Sequence, residues 1–403
     1  MKTVVIGGGP AGLISAYFRA NRGEDVLLIE KNEKLGKKLY ITGKGRCNVT
    51  NDCDEEEFLS NVVSNPRFLN GAIRRFPPEK FMEFLEGKVR LKTERGNRVF
   101  PISDKASDIT GCLESYARGA GAKIRLNEKV LSVNARDGEI YSVTTDKEEI
   151  VCDNVIVCTG GISYPSTGSD GDGYRFAEKL GHTIIKPVPA LSSLNLKGDF
   201  YKNLQGVTLK NVALTVYNGE KKVYSDFGEV LFTHFGISGP TVISASSYIN
   251  RLDLSNVSVS IDLKPALSFE QLDLRVLRDF GKYKNKALKN SLDDLLLKSL
   301  IPEVIKLAKI NGDVKNNELK SEDRKKLVNT IKGMRMYPYS LRDISEAIVT
   351  AGGVSVKEIN PKTMESRLVK GLFFAGEVID TDALTGGFNI TIAACTAYAA
   401  GNV

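Results

Sequence analysis

The chain opens on an apolar run broken by glycines. "TVVI" (3–6) is largely β-branched, the pattern of a strand buried on both faces. Gly7, Gly9 and Gly12 follow, and Ala11, Ala16 and Ala20 then give a helix whose small-residue face can lie close on a sheet. "DVLLIE" (25–30) is the next apolar strand and ends in Glu30. From about 58 to 125 the pattern is mixed and partly helical. Residues 127–161 alternate like a short antiparallel meander, with Asp137-Gly138 as a turn, and close on the apolar strand of "NVIVCTGG". "ISYPSTGSDGDGYRFAEKLGH" gives a polar loop and a helix. His182, just past that helix, is expected at the surface or as a cap.

Residues from about 190 to 348 change character. "GVTLKNVALTVYN" and "NVSVSIDL" are strand-like, whereas 268–332 turns helical through "SLDDLLLKSLIPEVIKLAKI" and "SEDRKKLVNTIKG". Strand and turn signals return over 350–377. The closing "GGFNITIAACTAYAAG" puts Ile390, Ala393, Ala394 and Ala397 on one helical face. The predicted organisation is an α/β nucleotide-binding domain in two parts, 1–190 and 349–403. Between them lies an insert, 191–348, β-rich over 191–265 and helical over 266–335.

A chain of 403 residues is long for one core, which agrees with more than one domain. Hydrophobic content of 42% and charged content of 26% suit a soluble globular protein, and no apolar run reaches the ~18 residues a membrane span needs. No signal-peptide pattern precedes the first strand, so a cytoplasmic protein with reduced thiols is expected. Its cysteines (47, 53, 112, 152, 158, 395) form no C-x-x-C pair and its histidines number two, which argues against a His/Cys metal site. Lys and Arg number 56 against 49 Asp and Glu, a net charge of +7. It reads as a mild excess spread along the chain, favouring anionic ligands slightly.

Gly7, Gly9 and Gly12 have G-x-G-x-x-G spacing between a strand and a helix, with an acid 18 residues after Gly12. That context is a dinucleotide fingerprint. Gly7 permits the turn, Gly9 admits a pyrophosphate to the backbone, and Gly12 lets helix and strand pack. Glu30 is placed to accept hydrogen bonds from ribose hydroxyls. Two further glycine points end predicted strands: "VCTGG", with Thr159 and Gly160, and "FFAGE", with Gly376 and Glu377. Contacts so widely spread suit FAD. Glu377 is expected on a ribityl or ribose hydroxyl. Gly387 leads into a helix start, Phe388-Asn389-Ile390, whose positive end would face the flavin pyrimidine edge. "GKKLYITGKGRCNVTN" (36–51) fails as a P-loop, because Gly36 and Gly43 are too far apart and Gly45 stands where the Ser or Thr belongs. It instead follows the second strand, beside the pyrophosphate and flavin, where Lys38, Lys44 or Arg46 would offset phosphate charge and backbone near Gly43 to Cys47 would approach the ring. Pro10, Ala11, Lys31 and Val130 complete the predicted cofactor contacts.

The set "GGGPAG", "GKKLYITGKGRCNVTN", "RVFPISDKASD", "CTGGISYPSTGSDGDGY", "LFTHFGISGP" and "TAGGV…INPKTMES…GLFFAGEVIDTDALTGGFNI" resembles the BaiN-like, aminoacetone-oxidase-like (YhiN-type) FAD-dependent oxidoreductases, in order over nearly the whole chain. The resemblance implies a glutathione-reductase-like FAD domain, noncovalent FAD, and an insert made of a small β-barrel and a helical piece. It also implies a flavin oxidoreductase acting on a small organic substrate. The reaction is left open between reduction of an unsaturated substrate with NAD(P)H and oxidation of an amine-like substrate with O₂. With one dinucleotide fingerprint, NAD(P)H would bind transiently in the flavin site.

His234 and Tyr164 are candidate proton donors, and Cys47 is a candidate flavin neighbour. Five residues separate Cys47 from Cys53, whereas disulfide reductases of this fold place four, so a redox pair is not expected. A flavoprotein of RNA modification is the alternative. In it the insert would hold RNA, which the mild positive charge permits; against it, the basic residues lack aromatic interleaving and an RNA-binding motif. A non-catalytic FAD module is disfavoured by glycine loops that look built around an accessible site. A small-molecule substrate is therefore expected, with no membrane and no nucleic acid.

Overall fold

A computed structural model describes residues 1–403 and divides the chain into two compact units, 1–190 with 343–403, and 191–342. Residues 343–348 thus belong with the first unit. Counted by unit, residues 191–342 carry 24 Lys and Arg against 16 Asp and Glu, and the remainder carries 32 against 33. The positive charge is not spread along the chain. It belongs entirely to the insert, at +8 against −1.

The first unit is built on a parallel sheet in the order 372–374, 154–157, β1 (Lys2–Ile6), β2 (Asp25–Ile29), 123–125. Val4, Val5, Leu28, Val155, Ile156 and Val157 are all essentially inaccessible, as expected of central strands covered on both faces. The order reverses on either side of β1, and such a switch point opens a crevice beyond the carboxyl ends of the strands. α1 (Pro10–Asn21) follows β1, and the C-terminal helix (Phe388–Gly401) packs beside it. Arg19 fastens that pair. Its guanidinium, 2% exposed, donates to the Ala400 carbonyl at 3.0 Å and pairs with Glu24 at 3.0 Å.

The predicted meander is present as strands 130–136, 139–145 and 149–151, with Asp137 and Gly138 both at positive φ, as a two-residue hairpin turn requires. His182 is not a surface residue. It is 3% exposed, packs on Phe374, and its Nε2 lies 2.9 Å from the Ser366 hydroxyl. Ser366 Oγ already accepts from the Leu368 and Val369 amides, so its proton points to Nε2 and the neutral ring carries its own proton on Nδ1.

In the second unit seven strands form one antiparallel sheet, in the order 334–336, 257–262, 208–218, 221–232, 236–238, 194–196, 338–341. The two outermost strands are separated along the chain by Tyr337 alone. A sheet whose opposite edges are covalent neighbours must be rolled on itself. Its inner face holds Leu214, Val216, Phe232, Val259 and Ile261. Helices 240–249, 269–282, 301–307 and 321–332 complete the unit. The leucine-rich stretch from 291 is not one long helix. Leu292, Leu295, Leu296 and Leu300 are buried, but the α-helix begins only at Ile301, because Pro302 lacks an N–H and is tolerated only in a first turn.

Candidate active site

Four chain segments that carry sequence signals all follow carboxyl ends of the parallel strands. Gly7 follows β1, Glu30 follows β2, Cys158-Thr159-Gly160 follows 154–157, and Ala375-Gly376-Glu377 follows 372–374. Parallel pairing alone therefore gathers them along one edge of the sheet.

At this edge Gly12 packs so closely that an added Cβ would stand 1.8 Å from the Gly7 carbonyl oxygen. Helix α1 is thereby held against the turn that precedes it. At Gly9 the same test meets no atom within 4 Å, so its backbone faces open space. Gly9 is the N-cap of α1, no side chain caps the helix, and Pro10 occupies its first turn. The free N–H groups of that turn and the helix dipole are available to an anion. Thr159 Oγ1 is a buried oxygen without a partner, packed against Gly173 of helix 172–179. An open glycine and an uncapped helix N-terminus fit the pyrophosphate of a dinucleotide. Gly7, Gly9, Pro10, Ala11 and Gly12 form this cradle.

Glu30 is 8% exposed. One carboxylate oxygen accepts the Gly8 N–H at 2.7 Å, and the other accepts the Asn32 backbone and side-chain N–H groups at 2.8 and 2.7 Å. The acid therefore builds the glycine turn, and the oxygen with one donor keeps acceptor capacity for a hydroxyl.

Most of the expected phosphate-facing cations are engaged elsewhere. Lys31 pairs with Asp170 and Asp172 at 2.7 and 2.8 Å. Arg46 lies over the Phe100 ring and pairs with Glu94 and Asp104. Lys38 donates to Glu377 at 2.8 Å and to Ser163 at 2.7 Å. Lys31, Lys38 and Arg46 each have a carboxylate partner, whereas Lys44 is exposed at positive φ.

Glu377 is the hub of a network that sequence reading missed. One oxygen accepts from Lys38, from the Ser163 hydroxyl at 3.2 Å and from the Thr350 amide at 2.8 Å. Thr350 Oγ1 in turn accepts the Ile162 and Ser163 amides. Residues distant in sequence are tied by this one carboxylate, and only the second oxygen, held by Lys38 alone, has room for a ribityl hydroxyl. No local pattern marks Thr350 or Ser163 for this role.

The start of the C-terminal helix is equally constrained. An added Cβ at Gly387 would lie 2.4 Å from the Thr50 backbone. Thr50 bonds Thr391 at 2.7 Å, and Asn51 donates to the Gly386 carbonyl at 3.2 Å. Asn389 closes the preceding loop through Ala383 and Leu384, Phe388 packs on Phe58, and Ile390 continues the first turn. This helix also lacks a side-chain cap. Gly376 lies between the two helices, where an added Cβ would be 2.9 Å from Ala11 Cβ and 3.6 Å from Ala393 Cβ. Asn48 and Asn51 leave buried side-chain oxygens without partners, and the sequence signal for them was only the polar end of "GRCNVTN".

Cys47 is fully buried, and burial pushes its thiol up to about 12. Cys53 is also pushed up to about 12, by burial first and then by Glu57, Asp54 and Asp52. Neither is in a disulfide. Both thiols are protonated near neutral pH and are poor nucleophiles. At Gly43, which has positive φ, an added Cβ would lie 3.0 Å from the Asn48 amide nitrogen. Val130 is buried at the start of the meander, and Gly160 at positive φ lies beside Ser169. Tyr164 is half-buried at positive φ, its amide donating to the Ser345 carbonyl. His234 is exposed in the second unit, on the short link between strands 221–232 and 236–238, closed by a hydrogen bond from the Thr233 amide to the Gly236 carbonyl.

The whole chain, residues 1–403, matches the family described as HI0933-like protein Rossmann domain. It is 30% identical over 403 residues to the 3-dehydro-bile acid delta(4,6)-reductase of Clostridium scindens, covering 98% of this chain and 97% of that one. It is 32% identical over 400 residues to a protein of Escherichia coli K12 named ribosomal RNA dihydrouridine synthase, covering 98% and 96%. Among solved structures, 3-ketosteroid-delta4-(5alpha)-dehydrogenase from Rhodococcus jostii RHA1 superposes with a TM-score of 0.55 at 16% identity, over 99% of this chain and 95% of that one, a likeness of fold. No helix is long and apolar enough to cross a membrane. With its Rossmann-type FAD-binding domain and flavin-dependent oxidoreductase character, the chain belongs to the HI0933-like family.

Proposed function

We propose that the protein is a reductase that uses noncovalent FAD to saturate a C=C bond conjugated to a carbonyl, with NAD(P)H as the external reductant. The observation that carries this reading is the open, uncapped cradle at Gly9 in a chain whose Cys47 and Cys53 form no disulfide and stay protonated. Electrons then have no thiol relay and must pass directly between flavin and substrate. When bound, FAD supplies the reducing equivalents for the polarised double bond. The chain would bind the pyrophosphate through the α1 amides, orient the adenosine through Glu30, and position the ribityl chain through the Lys38–Glu377 network. Tyr164 and His234 are the candidate donors of the proton that completes the saturated carbon.

The names of two full-length relatives support the bond type. A 3-dehydro-bile acid delta(4,6)-reductase and a dihydrouridine synthase both saturate an alkene conjugated to a carbonyl, in a steroid ring or in uracil. A small enone is the leading substrate. A uracil base within RNA is the second reading, favoured by the placement of all excess positive charge in the insert.

The test is anaerobic reduction of FAD-loaded protein by NADH or NADPH, followed by a 3-oxo-Δ4,6 bile acid or by uridine-containing RNA. The expected result is reoxidation of the flavin with loss of one conjugated double bond per NAD(P)H. Reduction of the flavin only by amines, with reoxidation only by O₂, would replace this reading with an oxidase.

A further inference from the structure

The rolled sheet of the insert has a solvated face that differs from an ordinary polar one. Strand register sets Arg335 opposite Ser260, Ser260 opposite Thr215, and Thr215 opposite Ser225. On neighbouring rungs Ser258 opposes Tyr217, Tyr217 opposes Lys222, and Ala213 opposes Phe227. Residues directly opposite share a face, and the intervening Val212, Leu214, Val216, Val259 and Ile261 point to the core. The outer face is therefore a floor of small side chains, mostly hydroxyls, edged by two aromatic rings and two cations.

Arg335 lies 5.6 Å from the centroid of the Tyr217 ring. Phe227 is 58% exposed. Beyond Arg335 the chain keeps strict alternation: Met334, Met336 and Pro338 are buried, while Tyr337 and Tyr339 are 50% and 56% exposed. Large rings held open to water on a rigid sheet mark a contact surface rather than a solvated one. Basic and aromatic residues that look separate along the sequence are thus interleaved in space by the two-residue period of the strands.

We propose that this face binds single-stranded RNA, with unpaired bases stacking on Tyr217, Phe227 and the exposed tyrosines, and phosphates meeting Arg335 and Lys222. Every base offers a π-face to such rings, and the shallow hydroxyl floor suits ribose 2′-hydroxyls. Arg335 and Lys222 supply cations on the face itself, and the unit that bears it carries +8 while the rest of the chain carries −1. Two acids share the face: Asp262 is neutralised by Lys332 at 2.6 Å, and Glu229 is exposed two residues along the strand from Phe227. The proposal extends the second substrate reading and gives it a location.

Fluorescence anisotropy of FAD-loaded, full-length protein with labelled uridine-rich single-stranded RNA tests it, with duplex RNA of the same length as the comparison. The single strand should bind more tightly than the duplex, and less tightly as salt rises. Phe227→Ala combined with Tyr217→Ala should weaken binding by about 10-fold or more, and Arg335→Gln should reduce the salt dependence. FAD content and melting temperature, measured on the same samples, separate a lost contact from a lost fold. No binding at low salt, equal binding by the aromatic variants, or a wild-type oligomer that these variants dissociate, which would make a second copy the occupant, each overturns the proposal. Turnover separates it from the reading it extends. RNA bound here but never reduced keeps the surface and removes the RNA substrate, whereas RNA reduced equally well by variants that bind it unchanged keeps the substrate and removes the surface.

Discussion

Replacing Glu30 separates its two roles. In the protein alone, its carboxylate satisfies the Gly8 amide and both N–H groups of Asn32. Glu30→Ala leaves the Gly8 and Asn32 amides without their acceptor at a site 8% exposed. An unsatisfied buried donor costs about 1–3 kcal/mol, and water entering the vacated space offsets part of that, so a loss of about 2–4 kcal/mol is expected for the flavin-free protein. For a domain of this size that is a fall of about 5–10 °C in melting temperature. FAD binding should weaken separately, by about 1–3 kcal/mol for a lost charge-assisted bond to a ribose hydroxyl, or about 5- to 150-fold in Kd. Glu30→Gln keeps one acceptor oxygen and should fall between wild type and Ala on both measures. The assays are thermal denaturation of protein stripped of flavin and titration with FAD followed by flavin fluorescence. An Ala variant that melts with wild type would refute the anchoring of the glycine turn, and an unchanged Kd would remove Glu30 from the ribose.

Three further outcomes are expected. Cys53→Ser should retain FAD and turnover, since Cys47 and Cys53 are separate, protonated thiols; loss of turnover with FAD still bound would restore a dithiol mechanism. Burial holds the His182 imidazole below the usual histidine value, against a weaker opposing pull from Glu358. The unfolded chain therefore takes up the proton first, so the stability associated with neutral His182 is present above about pH 6.5 and is lost as pH falls through that value towards the folded pKa. Chemical denaturation between about pH 7 and 5 should show that slope in wild type and a shallower one in His182→Gln; identical slopes would place the titration elsewhere. His234→Ala should lower substrate turnover by about 10²-fold with FAD content intact if its imidazole supplies the proton, and unchanged turnover would leave Tyr164 as the candidate.

The opening strand, glycine turn, helix and second strand were legible because each depends on local pattern: a buried β-branched run, a close approach that only Gly12 permits, and an apolar strand ending in an acid. The Asp137-Gly138 hairpin was legible for the same reason, since a two-residue turn needs positive φ at both positions. Tertiary structure alone decided which charges meet. Lys38 and Arg46 looked like phosphate ligands and Lys31 like a cofactor contact, but carboxylates far away in sequence, at Glu377, Glu94 and Asp172, come within ion-pair distance of them. A folded chain satisfies nearby opposite charges first, and no periodicity encodes which these will be. His182 reads as polar and terminal, yet packing around Phe374 and Ser366 buries it. The charge of the insert is countable once its bounds are drawn, but its aromatic face emerges only after folding. The residues of that face lie on separate strands, and antiparallel register, a property of pairing between distant segments, sets them side by side.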